Sequence, residues 1–353
     1  MGNTKLIEGI NSSDYRAIDI LSYSAIKDFS NGRLQFYKKH ILKEKKKPKK
    51  SPEMAFGDLV DCLLFSENEY EDKFFLSTSK KPTGQMLKFV LDLVDKTLES
   101  TNEEGDLTTP LETLIALSYE NAGFVRDKLD TVKEKFLIKK IGWDLYVDST
   151  KNVGKTVIDT ETLEWAFSLI EYMKNHPYTA DVINIQNNDK YEVLDQIMLE
   201  GEIEEEPFKL MADRVIINKK TKIVTPLDLK VGTNCEMFPY MYLKMKYYLQ
   251  NGVYTTLLRD YFPDCTVKPL AYVSIDKYRQ VDPAIIKTSE KLYLEAMNGF
   301  CTPFGKKYTG VLDLVRQIKY HKETNVWTSS AIQKENNGWL DLENLSTEEV
   351  SED

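Results

Sequence analysis

Two β-prone runs, FKLMADRVII at 208–217 and KIVTPLDLK at 222–230, are separated only by the turn-forming stretch NKKT. A connection this short makes the pair an antiparallel hairpin. Positions whose numbers sum to about 441 then face each other, which puts Asp213 opposite or diagonal to Asp228. Side chains two apart share a face, so Lys230 joins Asp228. The surrounding strand residues are apolar, and buried like charges there cost on the order of several kcal/mol unless a cation offsets them.

A hard divalent ion such as Mg²⁺ or Mn²⁺ resolves that conflict. It takes oxygen ligands, accepts one or two carboxylates with waters, and leaves positions for phosphate. Lys230 is then placed to hold or deprotonate an attacking water and to stabilise charge on a phosphorane-like transition state. That is the chemistry of phosphodiester hydrolysis. The same residues also allow a plain salt bridge from Asp213 to Arg214 or Lys230, and the D(x14)DxK spacing alone does not choose between the two.

The periodicity elsewhere surrounds the hairpin with helices. Residues 22–37 read as a short helix, a turn at Asn31-Gly32 and a second helix, and AFGDLVDCLLF at 55–65 has the spacing of a buried amphipathic helix. Weaker helical patterns run over 86–99 and 111–140, with a further helix at 161–175 that Pro177 stops. After the strand YEVLDQIML from 191 and the hairpin, helical spacing returns over 238–258, AYVSID at 271–276 reads as a strand, and 288–297 and 309–320 as helices. No repeat and no linker divides the chain. The expectation is an N-terminal segment at 1–20, one α/β (α+β) domain at 21–335, helical over 21–180 with its sheet in 190–335, and a frayed acidic tail at 340–353.

Charge and cysteine usage narrow the function classes. The net charge of -9 argues against a wholesale electrostatic nucleic-acid binder, yet eight lysines fall between Lys38 and Lys50 and an acidic run spans Glu192 to Glu206. The lysine run, Lys45, Lys46, Lys47, Lys49 and Lys50 above all, is either a solvated loop or a phosphate-contacting arm. The four cysteines are scattered, with no CxxC pair, so neither a zinc knuckle nor a disulfide framework is indicated. Gly154-Lys155-Thr156 lacks the earlier glycine of a phosphate-binding loop, and no GxSxG or HExxH occurs, so serine, zinc and ATP-coupled chemistry are not expected. The N-terminus lacks a signal-peptide pattern and no segment is apolar enough to span a membrane, which suggests a cytoplasmic protein.

Two further motifs flank the hairpin: Gln250 and Tyr254, one helical turn apart, and Gly57 with Asp61. The order GxxxD, D, DxK, QxxxY resembles the RecB-like and RecE-like branch of the PD-(D/E)XK nucleases, whose pattern is GxxxH, D, (D/E)xK, QxxxY. DRVIIN...TPLDLKVG is similar to the matching stretch of phage exonucleases of the exodeoxyribonuclease VIII type. LSYSAIKDF, YYLQNGVY, AYVSIDKY and LEAMNGF extend the likeness over roughly 20–325. It implies a restriction-endonuclease-like core, a small mixed sheet flanked by helices. It also implies an ATP-independent metal-dependent DNA exonuclease acting on double-stranded ends in phage recombination or replication, forming a ring and handing one strand to an annealing protein.

On this resemblance Asp213, Asp228 and the carbonyl of Leu229 bind Mg²⁺ or Mn²⁺, Lys230 is catalytic, and Gln250 and Tyr254 orient the lysine or contact DNA. Asp61 stands where the family has a metal-binding His, and Val231 where it has Thr. An acidic residue before the first strand corresponds to Glu192, with Asp195 or Gln196 as alternatives. Two rival readings remain: an endonuclease on the same fold, whose relatives often carry an iron-sulfur cluster that the scattered cysteines disfavour, and a catalytically inactive DNA- or protein-binding module.

Overall fold

The computed structural model describes residues 4–44, 51–78, 80–232, 234–303, 305–330 and 333. Contacts gather into two compact units, Met1–Glu53 with Tyr172–Asp353, and Met54–Glu171.

The first unit contains the sheet. Its strands are β1 (Lys5–Leu6), β2 (Tyr191–Ile203), β3 (Glu206–Asn218), β4 (Ile223–Val231), β5 (Thr266–Val267), β6 (Ala271–Ile275) and β7 (Ala284–Ile286). They lie in the order β1-β2-β3-β4-β6-β7, with β5 also on β4. The pairing is mixed: β4 runs parallel to β5 and β6, and the other neighbours are antiparallel. The β3–β4 register runs from Arg214↔Leu227 to Asn218↔Ile223, the spacing expected from the length of the turn. Both strands of the β2–β3 hairpin have 13 residues, and Glu204 and Glu205 in its turn have φ of 55° and 64°.

Helices α1 (Ser12–Ala17), α2 (Tyr23–Asn31), α3 (Phe238–Lys244), α4 (Tyr247–Tyr261), α5 (Glu290–Asn298) and α6 (Val311–Thr324) belong to the same unit. Helix α4 is central. Its apolar residues Leu249, Val253, Leu257 and Leu258 pack in one core with Phe208, Leu210, Ala212 and Val215 of β3 and with α2 and α6. A Cβ on Gly252 would stand 2.9 Å from Val311 Cγ2 and 3.2 Å from Met297 Sδ, so only glycine admits α5 and α6 this close. The result is a mixed α/β architecture, a central mixed sheet flanked by helices, as the sequence pattern implied.

The second unit is built on helices Gly84–Glu99 and Leu111–Ala122 and on a parallel strand pair, Phe74–Ser77 with Thr156–Asp159. Its core gathers Phe89, Leu93, Ile115, Phe136 and Tyr146. The helical pattern expected over 111–140 is broken where Gly123 takes φ 67°. Lys155, of the imperfect phosphate-loop motif, donates to the carbonyl of Glu71 at 2.6 Å. The helix expected over 238–258 is likewise two, α3 and α4, because Lys246 between them adopts φ 56°. Among the described residues no helix is long and apolar enough to cross a membrane. The acidic tail at 340–353 lies outside the described residues.

Candidate active site

Carried one step beyond the last β3–β4 pair, Arg214↔Leu227, the register sets Asp213 opposite Asp228 at the end of the ladder. Asp213 Oδ2 accepts the backbone N–H of Leu229 at 2.7 Å, which fastens it to the main chain of β4. Asp228 is 4% exposed and forms an ion pair with Lys230, two residues on along the same face. A buried carboxylate of this kind is tolerated because charge and donors meet it there.

Helix α4 supplies the next contact. Gln250 Nε2 donates to Asp228 Oδ1 at 2.5 Å, and one turn on the Tyr254 hydroxyl donates to the Met211 carbonyl of β3 at 3.0 Å. The expected Gln250/Tyr254 pair therefore lies over the same strands as the two acids and the lysine. Gln250 Oε1 is buried without a hydrogen-bond partner among the described residues. Burial pushes the Tyr254 phenol well above its usual range, with Tyr15, Asp228 and Asp213 adding to the effect.

Lys230 lies 4.8 Å from the Tyr247 ring centre and 5.8 Å from that of Tyr272. Burial lowers its proton affinity, but Asp228, Tyr247 and Asp213 together outweigh that, and the ammonium is held above the ordinary lysine range. Tyr23 of α2 closes this side: its hydroxyl donates to the Met245 carbonyl at 3.0 Å. Burial first, then Tyr247 and Asp228, drive its pKa well upward.

Arg214 points to the opposite face. Its Nε and Nη2 meet Asp195 at 2.7 and 2.9 Å, and Nη1 donates to the carbonyls of Val182 and Ile183 at 2.9 and 2.7 Å. Asp195 is thereby committed to Arg214 and drops out as an alternative for the upstream acid. Glu192 pairs with Ile217, four positions along β3 from Asp213, roughly 13 Å away at strand spacing. Of the three alternatives Gln196 is the one opposite Asp213, between the pairs Asp195↔Arg214 and Ile197↔Ala212. It has φ 49° inside a strand, a conformation costing about 1–3 kcal/mol that concentrates at functional sites.

Asp61 belongs to the second unit, part-buried on helix Pro52–Phe65 with Gly57 one turn earlier. Among the described residues no three His, Cys, Asp or Glu side chains gather in a group that could hold a metal ion. Lys45, Lys46, Lys47, Lys49 and Lys50 lie outside the described residues. Of their neighbours, Lys43 pairs with Asp19, and Lys39 with Asp28 at 2.7 Å. Sequence reasoning missed Tyr23 and Lys27, although their i, i+4 spacing in SYSAIK places both on one face of α2.

No family model matches the chain, and no curated protein matches it. Among solved structures it is similar to the crystal structure of a Eubacterium rectale protein provisionally named an exonuclease, with a TM-score of 0.45 and 12% identity over 95% of this chain and 89% of that one.

Proposed function

We propose that the chain is a metal-dependent deoxyribonuclease with a PD-(D/E)XK core, acting without ATP as an exonuclease on double-stranded DNA ends in phage recombination or replication. The observation that carries this reading is Asp213 bonded to the main chain of β4 at Leu229, the residue after Asp228, with Lys230 paired to Asp228 and Gln250 hydrogen-bonded to it. A structural salt bridge needs one acid and one base. Here two acids, a lysine and an amide converge on one patch of sheet.

The donor set fits one hard divalent ion. Two carboxylates suit Mg²⁺ or Mn²⁺ when waters and substrate phosphate complete the shell, and the buried, unpartnered Gln250 Oε1 is a further oxygen that a bound water could satisfy. Asp213 and Asp228 would hold the ion, together with the Leu229 carbonyl, whose residue's N–H already binds Asp213. The ion would polarise the scissile phosphoryl group. Lys230, kept cationic by its neighbours, orients the attacking water and stabilises charge gathering on the phosphate oxygens. Gln250 fixes Asp228, and the Tyr254–Met211 bond fixes α4 against β3, so the acids are preorganised.

The mode of cutting is tested with linear duplex, closed circular duplex and single-stranded DNA in Mg²⁺ or Mn²⁺. Shortening of linear duplex with circles spared supports the exonuclease. Nicked circles would assign an endonuclease instead. No cutting of any substrate would leave a binding module.

A further inference from the structure

Three lysines of the first unit are carried by segments that meet helix α4, whose Tyr247 ring centre lies 4.8 Å from Lys230. Lys246, between α3 and α4, donates to the Ser30 carbonyl at 2.8 Å and the Ser30 hydroxyl at 2.7 Å, at the C-terminal end of α2. Lys27, on α2, has its ammonium 5.9 Å from the ring centre of Tyr23, whose hydroxyl reaches back to Met245. Lys306 lies 5.8 Å from the ring centre of Tyr308 on the short pairing Phe300–Cys301 with Lys307–Tyr308, and Tyr308 meets Tyr248 of α4 edge-on at 5.7 Å.

None of the three forms an ion pair among the described residues. Asp28, next to Lys27 in sequence, is already bound by Lys39 at 2.7 Å and His40 at 2.8 Å. The charges also repel one another. Burial lowers the pKa of Lys27, Asp28 works against that, and Lys230 and Lys39 lower it further. Lys246 is pushed down to about 8 by burial, then by Lys27 and Lys306. Lys27 and Lys246 are partly buried cations without counter-charge and Lys306 adds an exposed one; such burial is unfavourable in the free protein, and an arriving anion offsets both its cost and the mutual repulsion. Ser30 Oγ, which Lys246 binds, itself donates to the Lys27 carbonyl at 2.8 Å, and Lys230 lies 4.8 Å from the ring centre of Tyr247, the residue after Lys246. The cations are carried by separate segments, and separate cations suit the spaced monoanions of a polynucleotide backbone better than a single small anion.

We propose that Lys27, Lys246 and Lys306 form a binding subsite for DNA backbone phosphates, adjoining Asp228 and Lys230 and aligning the strand beside the scissile bond. This rests on the nuclease reading of the neighbouring acids. The subsite holds the strand by charge alone, without reading base identity.

The test uses the whole chain carrying Asp228→Asn and a fluorescent duplex with hydroxyl ends, so that no terminal phosphate contributes. Binding is followed by anisotropy from about 50 to about 200 mM salt. Each of Lys27→Gln, Lys246→Asn and Lys306→Gln should lower the slope of log affinity against log salt by about 1, and Lys246→Arg should restore it. Asn tolerates the left-handed backbone at 246, and Lys306 is exposed, so the Lys306 variant reads the charge without disturbing the core. Unchanged slopes in all three, or no binding by the parent, overturn the subsite. Cutting is assayed separately: DNA hydrolysis with unchanged slopes removes the subsite alone, and reduced slopes without hydrolysis remove the nuclease reading alone.

Discussion

Asp213 and Leu229 are joined by a hydrogen bond from the main-chain N–H of one strand to the carboxylate of the other, 2.7 Å long. The first acid is therefore positioned by the backbone of the strand that bears the second. Its geometry depends on the β3–β4 register more than on any side-chain rotamer, and a slip of one residue would put the two acids on opposite faces of the sheet.

Gln250 is the analogous support for Asp228. Gln250→Ala leaves Asp228 Oδ1 buried without its amide donor, which should cost about 1–3 kcal/mol of stability in urea titration. DNA hydrolysis should fall about 10- to 100-fold, the usual effect of removing a group that orients a metal ligand. Unaltered hydrolysis would mean that Gln250 only packs α4 against the sheet.

Lys209 is a structural lysine that the sequence conceals. It is 6% exposed, donates to the carbonyls of Tyr15, Arg16 and Ile18 at 2.7, 3.1 and 2.6 Å, and so closes the C-terminal end of α1. Lys209→Met removes all three bonds and should destabilise the chain by about 2–3 kcal/mol, read as a lower urea midpoint. A shift under half that size would show that water replaces the lysine.

Lys246 gives a pH signature. Its folded pKa of about 8 lies below the ordinary lysine value of 10.5. Below about 8 both states are protonated, and the folded state bears the cost of the partly buried charge. Between about 8 and 10.5 the unfolded state binds the extra proton, so stability rises with pH through that window and is lost again as pH falls through 8. Melting curves should show this rise in the parent relative to Lys246→Asn. Parallel pH profiles for the two proteins would contradict it.

The β2–β3 turn sets backbone strain against surface charge. Glu204 and Glu205 adopt left-handed φ values that side-chain-bearing residues disfavour, while Glu204 pairs with Arg316 at 3.1 Å and Glu205 with Lys319 at 2.9 Å. Exposed pairs contribute little, whereas Asn-Gly is the favoured pair in a two-residue hairpin turn of this hand. The double change Glu204→Asn, Glu205→Gly should raise the melting temperature by about 2 °C. A lower melting temperature would show that the ion pairs with α6 dominate.

What was legible in the sequence was local in origin. The four-residue connection at 219–222 determined the β3–β4 register, and alternation then placed Asp228 and Lys230 together. The four-residue spacing of Gln250 and Tyr254 put both on one face of a helix, and the structure lays that face on β3 and β4. What was hidden depended on distant partners. Lys209 reads as a solvated strand residue until α1 folds over it, and the left-handed backbone at Gln196 and Lys246 has no glycine to announce it. The short parallel pair Phe74–Ser77 with Thr156–Asp159 joins segments some 80 residues apart, and neither strand is long enough to carry a pattern. The acidic run is the clearest case of a misleading local signal: Glu204, Glu205 and Glu206 are matched by Arg316, Lys319 and Lys322, each more than a hundred residues on.

The measurement that tests the central claim most directly is the rate of Mg²⁺-dependent phosphodiester hydrolysis on end-labelled linear duplex, compared among the parent chain, Asp213→Asn, Asp228→Asn and Lys230→Met, each checked for folding by circular dichroism. The parent should release nucleotides, with activity abolished by chelator and reduced at least about a thousandfold in each folded variant. Equal rates in parent and folded variants, or no metal-dependent hydrolysis in the parent, would contradict the assignment of Asp213, Asp228 and Lys230 as a nuclease centre.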